Sequence, residues 1–240
     1  LATDLQLSRP FGDWTAYARV QRWQVLQDDT SRIEAPYERV PQIGLRGRQQ
    51  TGGFELSVEG ELNRFTEVID GRADPAAAAR PTGTRTHLVG SVARPYLSPG
   101  WTVTPRLSLN AASYALDAPL ADGRRNLSRV VPTLSVDSAW VLERDARWFG
   151  RAVRQTLEPR VLYVRTPLRA QDTRLNFDSA AKDFNFESIF TENAFSGVDR
   201  VSDGNQLTAG LTTRLIDPAS GAEALRLAVV QRVRFADQRV

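Results

Sequence analysis

Phe54-Glu55-Leu56-Ser57-Val58-Glu59-Gly60-Glu61-Leu62 is the stretch on which the fold turns. Side chains of an extended strand point alternately to its two faces, so Phe54, Leu56, Val58, Gly60 and Leu62 share one face while Glu55, Ser57, Glu59 and Glu61 share the other. One side is greasy and the other acidic. The alternation recurs downstream. Trp101, Val103, Pro105, Leu107 and Leu109 oppose Thr102, Thr104, Arg106, Ser108 and Asn110. Val130, Leu134, Val136, Trp140 and Leu142 oppose Thr133, Ser135 and Asp137, and Leu225, Leu227, Val229, Val233 and Phe235 oppose Arg226, Arg232 and Arg234.

Extended outward from these segments, the pattern predicts ten strands: residues 1–9, 14–26, 37–49, 54–66, 85–97, 101–116, 126–144, 151–166, 205–216 and 223–236. Most are longer than the usual 5 or 6 residues of a globular strand and reach the roughly 9 to 11 that cross a bilayer when tilted. The connections alternate. Short ones rich in Gly, Pro and Asp fall at 10–13, 50–53, 98–100, 145–150 and 217–222, and longer ones at 27–36, 67–84, 117–125 and 167–204. Outer-membrane barrels combine short periplasmic turns with long outer loops. Trp14, Trp101, Trp140 and Trp148 lie beside short turns, joined by Phe11, Phe54 and Phe149, as an aromatic girdle at one interface requires. Trp23 sits near the opposite rim with Tyr37. Pro95, Pro105, Pro132 and Pro159 fall inside strands, where each removes a ladder donor, so local weakening or bulging is expected there.

The composition fits this reading. At 240 residues and 41% hydrophobic content, no run approaches the roughly 18 apolar residues of a spanning helix. The negative mean hydropathy does not exclude spanning strands, which bury only every second side chain. The chain starts at Leu1, has no Met and no Cys, and shows no leader with a charged start and apolar middle, so it reads as a segment of a longer protein. Its formal charge is only +3, and its arginines are scattered with Lys182 the lone lysine, which argues against nucleic acid as a partner.

Catalytic chemistry is not legible. His87 is the only histidine, too few for a zinc site of two or three imidazoles, and no G-x-S-x-G elbow accompanies it. Glu59 and Glu61 share a strand face, but solvated lumen charge accounts for them better than acid–base work. Asp199, Asp203 and Asn205 lack the Gly and Glu of a calcium loop, and no Gly-rich phosphate cradle stands between a strand and a helix. No catalytic residue, metal or cofactor is expected.

The one long irregular region, 167–204, is too aromatic for a merely solvated lid: Phe177, Phe184, Phe186, Phe190 and Phe195 stand among Asn, Asp and Ser. It is expected to fold into the lumen, against a partner, or upon itself. Gln155-Thr156-Leu157-Glu158-Pro159-Arg160, then Asn176-Phe177-Asp178-Ser179, Asp183-Phe184-Asn185-Phe186, Phe195-Ser196-Gly197-Val198-Asp199-Arg200 and Asp203-Gly204-Asn205-Gln206-Leu207-Thr208 follow one another in an order that resembles the barrel of the LptD family of LPS-assembly proteins. The resemblance is sharpest over 153–236.

The resemblance implies an all-β, antiparallel, up-and-down transmembrane β-barrel, of which residues 1–240 form one segment of about ten strands. It also implies residence in the outer membrane of a Gram-negative bacterium and delivery of lipopolysaccharide to the outer leaflet. The implied partners are lipopolysaccharide, an LptE-like plug lipoprotein, and a periplasmic LptA-like bridge reached through a domain absent here, as are the cysteines and the strands of the lateral opening. Loop candidates for partner or lumen contact are Asn176, Phe177, Asp178, Asp183, Phe184, Phe186, Phe190, Phe195, Gly197, Asp199, Arg200 and Asn205. Lumen-facing charges are Glu55, Glu59, Glu61, Glu158, Arg160, Arg226, Arg232 and Arg234; the arginines could meet lipid phosphates by bidentate hydrogen bonds, but charged lumen residues occur in porins generally and account for them better. A diffusion porin or receptor barrel, an outer-membrane protease and a soluble β-sandwich remain as alternatives.

Overall fold

The computed structural model describes residues 1–24, 35–68, 80–148, 150–171, 175–183, 185–186 and 188–240. Its strands are β1 (Ala2–Phe11), β2 (Trp14–Trp23), β3 (Glu38–Thr51), β4 (Phe54–Thr66), β5 (Gly83–Ala93), β6 (Tyr96–Ser98), β7 (Trp101–Leu116), β8 (Asn126–Trp140), β9 (Leu142–Trp148), β10 (Arg151–Thr166), β11 (Gly204–Ile216) and β12 (Glu223–Arg234). They form one antiparallel sheet in the order β1-β2-β3-β4-β5-β7-β8-β10-β11-β12, with β6 on β7 and β9 on β10. Each long strand pairs with the next long strand in sequence, the up-and-down arrangement, and β1 and β12 are open edges. No helix of the described residues is long and apolar enough to cross a membrane.

Four connections are two-residue hairpin turns, because Phe11 pairs with Trp14, Thr51 with Phe54, Ser98 with Trp101 and Trp148 with Arg151. The Gly52-Gly53 pair has φ of 56° and 79°, the two positive values that a tight primed turn demands. Two predicted strands differ from expectation. The segment 85–97 is broken between Ala93 and Tyr96, where Pro95 has no N–H and faces the stretch of β7 holding Pro105; Arg94 N–H still reaches the Pro105 carbonyl at 3.1 Å. The segment 126–144 is broken at Val141, opposite the Glu158–Pro159 gap in the β10 ladder, and β9 continues to Trp148. Residues 145–148, expected to turn, are therefore paired strand: Asp145 opposes Arg154 and Arg147 opposes Ala152. A two-residue turn ending in Gly150 at φ 79° suffices, and Phe149 lies outside the described residues.

Register confirms the two faces. Glu61 lies opposite Gly44 and His87, and Glu59 opposite Arg46 and Val89, so the acidic side of β4 continues across its neighbours. The other face carries Ile43, Leu62, Leu88, Leu107, Val130, Leu134, Leu211 and Val229, all exposed. A soluble sheet would bury that face; here it is uncovered, and no second layer stacks on it among the described residues. Buried side chains gather instead on the polar face, at the end of the sheet carrying the long connections. There Tyr37, Phe65, Ala112, Tyr114, Leu116, Leu175 and Phe177 form the core cluster.

Candidate functional site

The connection between β10 and β11 folds back over the polar face, which is thereby the inner one. Its Asn, Asp and Ser residues satisfy its own backbone, the reason such residues favour irregular chain. Asn176 brackets Ser179, donating to its carbonyl at 2.7 Å and accepting its N–H at 2.8 Å. Asn193 Oδ1 accepts the N–H groups of Phe195 at 3.2 Å and Ser202 at 2.9 Å, while its Nδ2 donates to the Arg200 carbonyl at 3.0 Å. Lys182 N–H to Ala194 O at 2.9 Å and Ser196 N–H to Ala180 O at 2.8 Å zip two limbs together, and a single turn of tight helix, Ser188–Phe190, forms the tip. Gly197 has φ 67°, and a Cβ there would stand 2.3 Å from the Asp178 carbonyl oxygen, so backbone conformation and space both require glycine.

Arg85 of β5 locks this loop. Its side chain is 1% exposed, and it donates from Nη1 to Asp199 Oδ1 at 2.8 Å and from Nη2 to Asp178 Oδ2 at 2.7 Å. Asp199 also accepts Tyr114 Oη–H at 2.8 Å and the N–H groups of Phe177 at 2.7 Å and Asp178 at 3.1 Å. Asp178 in turn accepts Val198 N–H at 3.1 Å. Burial pushes the Asp178 carboxyl up, but the hydrogen bond and charge of Arg85, with Val198 N–H and Arg39 behind them, outweigh it and hold the pKa near 2. A dry guanidinium facing two carboxylates is a committed arrangement: removing one partner of such a pair typically costs about 3–5 kcal/mol.

Aromatic packing surrounds this charge cluster. Phe177 stacks on Phe65 with centroids 4.3 Å apart and meets Tyr37 edge-on at 5.0 Å, while Arg85 lies 4.9 Å from the Phe65 ring centre. Beside it Arg129 of β8 donates to Gln171 Oε1 at 2.9 Å, Asn110 Oδ1 at 3.1 Å and the Val198 carbonyl, and Gln171 in turn clasps the backbone of Val201. Further from the rim, Arg232 and Thr208 both donate to the Ile189 carbonyl. Phe190 lies over Gly210, where a Cβ would come within 2.8 Å of the ring, and 4.5 Å from Arg160, which pairs with Asp137 at 2.6 Å. Below the tip an open cavity of about 920 Å³ remains, lined by Glu55, Arg106, Asp137, Arg160 and Glu192 among others.

Of the loop residues expected from sequence, Asn176, Phe177, Asp178, Gly197 and Asp199 meet in the locked cluster. Phe190 sits on the wall at the tip, and Phe195 and Arg200 face each other at 5.9 Å on the limb. Phe186 is exposed and meets Phe190 edge-on at 6.2 Å, and Asp183 is exposed and lends its carbonyl to Ser188. Phe184 lies outside the described residues. Asn205 is a correction. It belongs to β11, where Gln206 and Thr208 are the inner residues, so it points outward and accepts Tyr163 Oη–H at 2.9 Å. Strand alternation, resuming at Gly204, takes it off the lumen.

The eight predicted lumen charges are on the inner face. Glu61 is buried and accepts from Gln42 at 2.6 Å, and also from Tyr17 and Asn63. Glu59 lies 3.7 Å from His87, Glu55 accepts from Gln50 at 3.2 Å, and Glu158 pairs with Arg214 at 3.1 Å. Arg226 opposes Arg214 across the β11–β12 ladder, and Arg234 lines an open recess at the loop end. Sequence reading missed the wall's half of the lock: Tyr37, Phe65, Arg85, Tyr114 and Arg129. Alternation alone could have found Arg85, because it shares a face with His87 and the rest of that strand's inner row.

An open up-and-down sheet, apolar outside, charged within and covered by an inward loop, defines a stretch of transmembrane β-barrel wall. The family model described as LPS transport system D, LptD, matches residues 1–240, and curated proteins named LPS-assembly protein LptD match the whole chain. Those of Albidiferax ferrireducens, a Polaromonas species and an Acidovorax species are 46%, 48% and 47% identical over 241, 252 and 242 residues. The chain spans 29% of the length of each of these relatives. It belongs to the LptD family.

Proposed function

We propose that this chain is part of the wall of an outer-membrane translocon that inserts lipopolysaccharide into the outer leaflet. The carrying observation is the inner loop fixed to the wall through Arg85, Asp178 and Asp199 in a chain that matches the family over its full length. In this reading the two-residue turns face the periplasm and the long loops face outside, as in other outer-membrane barrels. The loop then works as a fixed strut that narrows the lumen and presents Phe186, Asp183 and the tip to a plugging lipoprotein. The charged row below the tip, with Glu55, Arg106 and Arg160, makes a wet passage wall. Lipopolysaccharide would arrive from a periplasmic bridge through a part of the protein beyond this chain, and the wall guides and encloses, with no bond made or broken by its residues.

The test is complementation. In cells depleted of their own LptD, the full-length protein should restore surface lipopolysaccharide, read by its modification from outside the cell, and the variant Arg85→Met should restore less at equal barrel levels. Full restoration by that variant would remove the strut from the mechanism. Large, steady ion conductance by the purified protein together with its plug would instead favour a diffusion porin.

A further inference from the structure

Arg94, on the outer face, has no carboxylate partner among the described residues. Arg94 stands in the break between β5 and β6; because Ala93 is opposite inner Glu55, Arg94 faces outward beside Phe54, level with the Gly52-Gly53 turn. Its guanidinium lies 4.7 Å from the Phe54 ring centre and 5.5 Å from that of Tyr96, and Nη1 donates to the Gly52 carbonyl at 3.2 Å. Among the described residues no carboxylate pairs with it, whereas Arg64 at the loop rim holds Asp117 at 2.7 Å. One donor is thus engaged and two rings flank the half-buried guanidinium, while among the described residues no hydrogen bond holds its remaining N–H groups, at the aromatic girdle where hydrocarbon gives way to headgroups.

We propose that Arg94, Phe54 and Tyr96 form a binding site for the phosphate of a phospholipid headgroup in the leaflet at the turn rim. A planar guanidinium offers paired N–H donors to a phosphate oxygen pair, the rings seat the adjoining glycerol and upper acyl carbons, and the interruption of the ladder at Pro95 is what frees Arg94 to turn along the wall. The choice of leaflet rests on the sidedness proposed above; the phosphate chemistry does not.

The experiment uses full-length protein in detergent, with lipid retention counted by native mass spectrometry and folding checked by heat-modifiable migration. Phosphatidylglycerol should bind about ten-fold more weakly to Arg94→Gln, the size expected for losing one charged hydrogen-bond partner. Phe54→Leu, which keeps the charge, should lose several-fold and carries the test should Arg94→Gln not fold. Diacylglycerol and excess inorganic phosphate should not compete. Unchanged retention in both variants overturns the site, and displacement by inorganic phosphate reduces it to a free-anion site and equally overturns the lipid assignment. Displacement by lipopolysaccharide in preference to phosphatidylglycerol keeps the site and overturns the sidedness.

Discussion

The inner face has two halves with opposite physics. Near the loop rim, Arg85, Tyr114, Phe65 and Phe177 are buried and interlocked with Asp178 and Asp199. Toward the turns, Arg106, Asp137 and Arg160 carry the same chemistry in an open cavity, each about a third or more exposed. The pairs Arg85–Asp199 and Arg160–Asp137 have similar lengths, 2.8 and 2.6 Å, so distance does not separate them; solvent does. Where water is excluded, charge fixes the conformation, and where water enters, charge only colours the lumen.

Substitutions that break the comparison follow in order of size. Arg85→Met should release the loop at a cost of about 3–5 kcal/mol, because two buried carboxylates lose their cation; hydrogen exchange over 175–201 should rise while the strands stay protected. Phe177→Ala should cost about 3 kcal/mol by emptying the stack on Phe65, read by the same exchange. Gly197→Ala should cost about 1–3 kcal/mol, since its positive φ and the Asp178 carbonyl oppose a side chain. Arg160→Gln, the open counterpart of Arg85→Met, should shift stability by no more than about 1 kcal/mol. If its effect equals that of Arg85→Met, the division into dry and wet halves is wrong.

Acid sharpens the same contrast. The folded pKa of Asp178 is depressed from 3.8 to about 2, so the stabilisation it brings is fully present above its ordinary pKa and is lost as pH falls toward 2. Protease protection of the loop should therefore be flat from pH 7 to about 5 and fall only below about 4. Asp178→Asn should flatten that fall. A transition centred near neutrality would place control elsewhere than in this carboxylate.

The strands were legible because alternation is local: Glu59 and Glu61 announce an inner row to anyone counting by twos. That the long connection is more than a solvated lid was legible from its phenylalanines among turn-forming residues, while its direction stayed open between the lumen, a partner and packing on itself. Its partners on the wall were not, since Arg85 lies 93 and 114 residues from Asp178 and Asp199 and no short-range period links them. The breaks at Pro95 and Val141 were half legible: proline flags a missing donor, but which neighbour then changes partner depends on two strands at once. Asn205 was misplaced because a motif run was carried past the point where alternation takes over.

Those long separations also set a timetable. When β5 is made, its arginine has only Glu61 of β4 within reach, at 3.9 Å; the two carboxylates that hydrogen-bond it arrive only after five further strands, β6 to β10, have been synthesised. A wall stopped short of that point would hold its arginine by one distant carboxylate, and only a chain extended past Asp199 supplies the two that bond it directly.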